Sequence, residues 1–393
     1  MKMTQEHIFA IYPDSFTQFR PQLSAFPTIL NVTGDSVVGN GSGYKHDAVY
    51  GAYGEYVERY HFYNEIKIDR QACLKEALPR DLKEKWNHVI QQMKKTGEHP
   101  DEYSFHLTSV RNIYTDEKTF APTVVISLSH AHLDDRRFIH FIDSCGQSSH
   151  VSREQAFSSA FWEFIERQAL IGSWLSGKAK SKISYSEKDV LHGNNPIFQK
   201  LSKNGEITMF DLDQQGAGYV VIVFYFAKNK SDLVQYSVGM AADADPCQAM
   251  SRAINELWQS YTFMYLNAGN KENLDSRYQY LNELIEFNTE DTKAIIPFFH
   301  ESVEEMSYQK FTAQLTLPFD VVLSSINRIS KEIFAYESQA EMFGKTYYFC
   351  KILSPDYFLH MGIKMPLNFK NSFTAFLGVH IEPGDIKNPL PFP

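Results

Sequence analysis

Ala156-Phe157-Ser158-Ser159-Ala160-Phe161-Trp162-Glu163-Phe164-Ile165-Glu166-Arg167 carries two alanines and two glutamates at a spacing that a helix brings together. At about 100° per residue, with Ala156 at zero, Ala160 lies near +40°, Glu163 near −20° and Glu166 near −80°. The four share one stripe. An ordinary amphipathic helix turns an apolar stripe inward and its charges outward, so carboxylates beside the small residues are costly unless something pairs them. The same spacing occurs at Ala48, Ala52, Glu55 and Glu58-Arg59, and again at Ala249, Ala253, Glu256 and Gln259. The copies are 108 residues apart (48 to 156) and then 93 (156 to 249), too far for a solenoid repeat. They predict three separate helices doing one kind of work. Glu-x-x-Glu alone is common on solvated helix faces; three copies with the same two alanines are not explained that way.

Working outward, helices are predicted over His46–Glu65, Ser152–Ser176, Pro246–Asn267 and roughly Phe319–Phe334. Ser152 suits an N-cap, and Pro246 the first turn of its helix. Runs rich in Val, Ile, Phe and Tyr predict strands at Pro122–Ser129, Tyr219–Ala227, Leu233–Val238 and Thr346–Leu353. The class is therefore mixed, α+β. No internal linker divides the chain, but Glu382 to Pro393 holds four prolines. Two units are expected: a body over 1–381 and an extended tail over 382–393, ending Pro389-Leu390-Pro391-Phe392-Pro393, where alternating prolines fix φ and remove amide donors.

The 393 residues are 43% apolar and 14% aromatic, a composition that supports a large core rather than disorder. A net charge of −9 without a Lys/Arg stripe argues against nucleic acid. No run reaches membrane-spanning length, and Met1–Arg20 lacks a signal-peptide apolar stretch. Cys73, Cys145, Cys247 and Cys350 are scattered, which fits reduced thiols in a cytoplasmic protein.

Pooled, the three helices offer five carboxylates and one amide: Glu55, Glu58, Glu163, Glu166, Glu256 and Gln259. Clustered carboxylates repel one another unless cations intervene. Mg²⁺ takes oxygen ligands and is commonly shared between a few carboxylates and substrate phosphates, so Mg²⁺ with ATP would relieve the repulsion. Arg59, Arg167 and Arg252 are candidates for phosphate contacts or for pairing with the glutamates. Three weaker signals are set aside. His130-Ala131-His132-Leu133-Asp134-Asp135 has Asp where a hydrolase zinc motif needs its last His. Gly39-Asn40-Gly41-Ser42-Gly43 lacks the Gly-Lys-Ser/Thr of a phosphate-binding loop. Cys145 and His150 are close in sequence, but proximity alone is weak support for a thiol–imidazole pair and a buried structural Cys is the better reading.

With these residues in place the chain resembles the YcaO family, whose nucleotide site is built from two Glu-x-x-Glu helices and one Glu-x-x-Gln helix. The likeness spans most of the chain. Gly39–Gly43 stands where the family has a glycine-rich entry, and Leu257-Trp258-Gln259-Ser260-Tyr261 closes the third helix. Cys145-Gly146-Gln147-Ser148 replaces the family's usual Asn-Gly. The resemblance implies helices packed on mixed or antiparallel sheets around a central Mg–ATP site. In it Glu55, Glu58, Glu163, Glu166, Glu256 and Gln259 form the metal shell, and Arg252, Arg167, Ser148 and Gln155 reach the nucleotide.

The resemblance also implies ATP-dependent cyclodehydration of Cys, Ser or Thr in a ribosomally made precursor peptide to thiazoline or oxazoline. The proline ending is typical of azoline-forming members, with the Pro393 carboxylate as candidate base. Little room remains for a leader-binding domain, so an E1-like partner that captures the leader is expected, with an FMN-dependent dehydrogenase to oxidise the rings. A thioamide- or amidine-forming enzyme, a non-peptide ATP ligase and a non-catalytic scaffold are the alternatives; intact glutamates count against the last.

Overall fold

The computed structural model describes residues 15–19, 26–34, 37–44, 46–94, 97–129, 134–186, 189, 195–267, 285–289, 291–361, 368–382, 390 and 392. Along the chain, β1 (Ser15–Phe19), β2 (Thr28–Gly34) and β3 (Val37–Gly43) lead into α1 (Asp47–Asn64). Next come β4 (Arg70–Cys73), α2 (Arg80–Met93), β5 (Ser104–Asn112), β6 (Lys118–Pro122) and β7 (Gln147–His150), then α3 (Arg153–Ser176). β8 (Ser181–Ser184), α4 (Pro196–Asn204), β9 (Gly205–Asp211), β10 (Tyr219–Ala227) and β11 (Tyr236–Asp243) precede α5 (Pro246–Asn267). β12 (Glu305–Ser307), α6 (Phe319–Asn327), β13 (Phe334–Met342), β14 (Lys345–Leu353) and α7 (Ser372–Leu377) follow.

The strands make three sheets, ordered β1-β2-β3, β4-β5-β13-β14-β7 with β6 also on β5, and β11-β10-β9-β8-β12. All pairings are antiparallel except β12 with β8. The three motif helices each follow an edge strand: β3 precedes α1, β7 precedes α3 and β11 precedes α5. This mixed architecture is the expected α+β class.

Alternation explains how the layers close. In β10, Val220, Ile222, Phe224 and Phe226 enter the core shared with α3, while Tyr219, Val221, Val223 and Tyr225 enter the one shared with α5. Successive side chains on a strand point to opposite faces, so a continuous apolar run is a strand buried on both. A third core joins α1 and α2 to the six-stranded sheet through Tyr56, Phe62, Trp86 and Phe105.

The alanine stripes have a packing role. A Cβ on Gly239 would stand 2.0 Å from the Leu257 nitrogen and 2.4 Å from the Ala253 oxygen. One on Gly39 would stand 2.2 Å from the Ala52 oxygen, and one on Gly41 2.2 Å from the Ala48 oxygen. Backbone therefore lies on backbone: strand glycines face helix alanines in the first and third copies. Gly239→Ala pushes α5 off β11, and we expect a loss of about 3 kcal/mol, the upper part of the usual overpacking range. Urea unfolding checks this; a loss under about 0.5 kcal/mol would show that the helix seats elsewhere.

Two expectations fail. Pro122–Ser129 is not a strand: β6 ends at Pro122 and a 3-10 turn follows over Thr123–Val125. Its apolar side chains are buried, and its polar groups find separate partners. Thr123 bonds Thr108, Leu128 donates to the Phe62 carbonyl, and Gln147 donates to that of Ile126. Phe319–Phe334 is helical only to Asn327; the amides of Ile329 and Ser330 both turn back to Ile326, and Phe334 already pairs with Asn112 and Leu353. In both stretches the period is wrong, because apolar composition does not distinguish a turn or strand start from its neighbour.

Candidate active site

The first glutamate of the first and third helices closes the edge of the strand before it. Asn40 N donates to Glu55 Oε2 at 2.7 Å, and Met240 N donates to Glu256 Oε2 at 2.8 Å. Each donor follows a packed glycine, Gly39 or Gly239, which lets the strand come close enough. The second glutamate of α1 faces another motif: the Ser149 amide of β7 favours the charged form of Glu58, and Ser149 Oγ donates to the Gly54 carbonyl at 2.8 Å. Edge strands present unpaired N–H groups. Here the carboxylates take them, so three sheet edges and three helices meet at one place.

The glutamates form an arc, with Glu58 beside Glu55 and Glu163, and Glu166 beside Glu163 and Glu256. Burial pushes the Glu58 carboxyl up to about 7, helped by Glu55 and opposed by Arg59. Burial likewise pushes Glu163 and Glu166 up to about 8, with Arg167 opposing in both cases. Glu256 is raised by burial too. These groups resist ionising side by side because protein replaces much of the water around them, most fully at Glu166, whose side chain is 9% exposed against 25% for Glu163.

The cations cover the arc incompletely. Arg59 donates to Glu55 at 3.0 Å, and Arg252 pairs with Asp243 at 3.3 Å while lying near Glu166 and Glu256. Arg167 is mostly buried, only 3.7 Å from Glu163 and 3.6 Å from Glu166. Among the described residues its Nε has no hydrogen-bond acceptor, Nη1 lies 3.0 Å from Met361 Sδ, and its guanidinium sits 5.2 Å over the Phe392 ring. A buried guanidinium so held has capacity left for an anionic ligand.

This arrangement fits Mg–ATP by its donors. Oxygen ligands suit Mg²⁺, and the raised carboxyls and the under-coordinated Arg167 would be satisfied by a cation and a phosphate. Among the described residues no three His, Cys, Asp or Glu side chains close around one point. Mg²⁺ is usually held by one or two carboxylates plus phosphates rather than by an all-protein cage.

Of the other sequence candidates, Gln259 is partly buried on α5, two turns after its Arg252. Ser148 is buried on β7 opposite Cys350. Gln155 is not drawn in: it is exposed on the first turn of α3, where its amide bonds the Ser152 cap. The cap requires that position, which leaves the side chain pointing to solvent. Leu390 and Phe392 pack into the core that holds α3, so the tail does reach the site; Pro393 lies outside the described residues. His130 and His132 also lie outside them, whereas Asp135 is buried, accepting from Tyr103 and from the His106 amide. Cys145 is buried near Arg167, Glu163 and Asp143, and His150 is exposed, so they make no pair.

Sequence reasoning missed Lys351 and Asp143. Lys351 is 2% exposed on β14 and donates from Nζ to the Asp143 carbonyl at 2.8 Å. Burial lowers its ammonium to about 8 despite Asp143, Cys145 and Glu163 nearby. A lysine inside the apolar run Tyr347–Leu353 was the available signal, since a fully buried lysine is rare without a partner. Asp143 holds the loop that faces it, accepting from the amides of Cys145 at 2.6 Å and Met361 at 2.8 Å.

The chain is 29% identical over 333 residues to the microcin B17-processing protein McbD of Escherichia coli, covering 82% of this chain and 83% of that one. Its fold matches a chain of the E. coli microcin synthetase McbBCD complex with a TM-score of 0.84, 27% identity and 97% of both chains covered. The YcaO of Methanopyrus kandleri, solved bound with AMPPCP and Mg²⁺, shares the fold at a TM-score of 0.59, 13% identity, 90% of this chain and 88% of that one. Residues 40–357 match the family described as YcaO cyclodehydratase, ATP- and Mg²⁺-binding, and the chain belongs to that family.

Proposed function

We propose that this protein is the cyclodehydratase of a peptide-modifying synthetase, converting Cys, Ser or Thr of a ribosomal precursor peptide to thiazoline or oxazoline at the expense of ATP. The observation that carries this reading is the carboxylate arc at three sheet edges beside the buried Arg167, whose Nε has no hydrogen-bond acceptor among the described residues. The family and the near-complete match to a synthetase chain support it. Glu55, Glu58, Glu163, Glu166, Glu256 and Gln259 would hold Mg²⁺, and Arg167, Arg252 and Ser148 would line the phosphates. Gln155, being exposed, is the least suited of the nucleotide candidates.

In the reaction the side-chain thiol or hydroxyl adds to the preceding carbonyl carbon. The former amide oxygen accepts the γ-phosphoryl group of ATP and departs as phosphate, while the amide nitrogen loses its proton and forms C=N. Bound Mg²⁺ supplies positive charge where phosphoryl charge moves. The chain would orient the oxygens of the nucleotide with arginines and offer a base. The Pro393 carboxylate is the base we assign, delivered by the 382–393 tail of an otherwise single catalytic unit.

The partners proposed are the precursor with its leader, an E1-like subunit that binds the leader and an FMN-dependent dehydrogenase. The McbBCD complex, solved with pro-MccB17 bound, is the precedent. No role with nucleic acid or membrane is proposed. Among the described residues no helix is long and apolar enough to cross a membrane, and a cytoplasmic site of action is part of the same reading. Incubating the assembled proteins with precursor and Mg–ATP should remove one water per modified residue, read by peptide mass with stoichiometric ADP. Exchange of oxygen for sulfur would assign a thioamide-forming enzyme instead. Unchanged peptide in an assembled, ATP-bound complex would sink the proposal.

A further inference from the structure

The loop after β14 is fastened to α3 and delivers one side chain to Arg167. Gln168, fully buried on α3, takes both backbone groups of Phe358. Its Oε1 accepts from the Phe358 amide and its Nε2 donates to the Phe358 carbonyl, each at 2.9 Å. One helical turn earlier, the Phe164 ring meets that of Tyr357 at 5.1 Å between centroids. The far end of the loop has its own anchor, where Met361 N donates to Asp143 Oδ2 at 2.8 Å. The other oxygen of Asp143 accepts from the Cys145 amide at 2.6 Å, which fixes the turn that carries the anchor. Held at Phe358 and at Met361, the loop brings Met361 Sδ to 3.0 Å from Nη1 of Arg167.

The chemistry of that contact is informative. Glu163 and Glu166 lie on the same helix as Arg167, yet their oxygens stop at 3.7 and 3.6 Å, outside charge-assisted hydrogen-bond distance. Two neutral groups complete the seat: the Met361 thioether against Nη1 and the Phe392 ring 5.2 Å from the guanidinium. A thioether accepts weakly, so it fixes the direction of one N–H and leaves the positive charge for an anion. A carboxylate in its place would pair with the fork of the guanidinium and cancel that charge.

We propose that Met361 is a positioning residue for Arg167, orienting the guanidinium for the nucleotide phosphates without neutralising it. The proposal rests on the nucleotide-binding part of the functional reading above. Its test is calorimetric binding of Mg–AMPPCP to the full-length chain, beside KM for ATP and kcat of the assembled proteins. Met361→Leu keeps the volume and removes the acceptor; Met361→Gln restores a neutral one. Leu should weaken nucleotide binding about fivefold, the scale of one lost hydrogen bond, and leave kcat unchanged. Gln should recover most of that loss, and Met361→Glu should weaken binding more than Leu does. In an Arg167→Lys background Leu should add nothing, because it acts only through the guanidinium. Circular dichroism establishes that each variant is folded, and Glu serves where Leu is not. Wild-type nucleotide affinity in folded Leu or Glu overturns the role, as does a Gln variant no better than Leu. An equal loss in the Arg167→Lys background also overturns it, by marking Met361 as packing alone. If wild type binds no Mg–AMPPCP, the functional reading fails first and the Met361 role falls with it. If wild type binds it and responds as above but leaves the peptide unchanged, only the assigned reaction fails.

Discussion

Glu163→Gln will leave the protein folded and lower peptide conversion by about 10³-fold, the scale on which removing one charge from a preorganised site acts. Glu163 is at the middle of the arc, with Glu58 on one side, Glu166 on the other, and Arg167 and Lys351 as its opposing cations. The amide keeps the volume and one oxygen but removes the charge a metal needs. Stability should move the other way. Burial raises the folded carboxyl to about 8, so the folded protein binds more protons than the unfolded chain between the ordinary carboxylate range and pH 8. In the nucleotide-free protein this group's contribution therefore falls as pH rises through that window, and Gln removes the slope. Thermal melts at pH 6 and pH 8 beside ADP release and peptide mass check both halves. Turnover within tenfold of wild type would remove Glu163 from the metal shell.

The arc was legible because its residues violate an amphipathic pattern three times with one spacing, and helix geometry turns spacing into position. The alanines were legible as room for a close neighbour, but not what filled it. The neighbours are Gly39, Gly41 and Gly239, and a strand with glycine at alternate positions reads as a loop until it is seen against a helix. The amides that hold Glu55 and Glu256, and the Ser149 amide that acts on Glu58, were beyond reach for a related reason. They belong to the backbone of edge strands, and nothing in a side-chain sequence says which strand is an edge. Lys351 was visible as an oddity in an apolar run, but its partner is a carbonyl 208 residues away. Composition marked Pro122–Ser129 and Phe319–Phe334 as apolar stretches and misjudged their period, since long-range packing chose the local conformation.

Deleting Pro389–Pro393 should lower peptide conversion by about 100-fold, the cost of misplacing a reacting group by an ångström, while ATP binding weakens far less. The tail has two physical means of acting, and Phe392 separates them. Its ring lies under the Arg167 guanidinium at 5.2 Å and is 6% exposed, packed in the same core as Phe164 and Tyr357 of α3 and the loop after β14. A cation–π contact of this kind is worth about 0.5–2 kcal/mol depending on how dry it is. Phe392→Ala should therefore loosen Arg167 and raise the KM for ATP several-fold, in step with that range, without reaching the loss caused by the deletion. What remains of the deletion's effect would belong to the chemistry delivered by the tail, which we assign to the Pro393 carboxylate. Appending one glycine after Pro393 moves that carboxylate while keeping Phe392, and should reproduce the kcat loss with ATP affinity intact. If Phe392→Ala alone matches the deletion, the tail acts by holding Arg167 and the base lies elsewhere; if the deletion turns over as wild type does, the tail takes no part in the reaction.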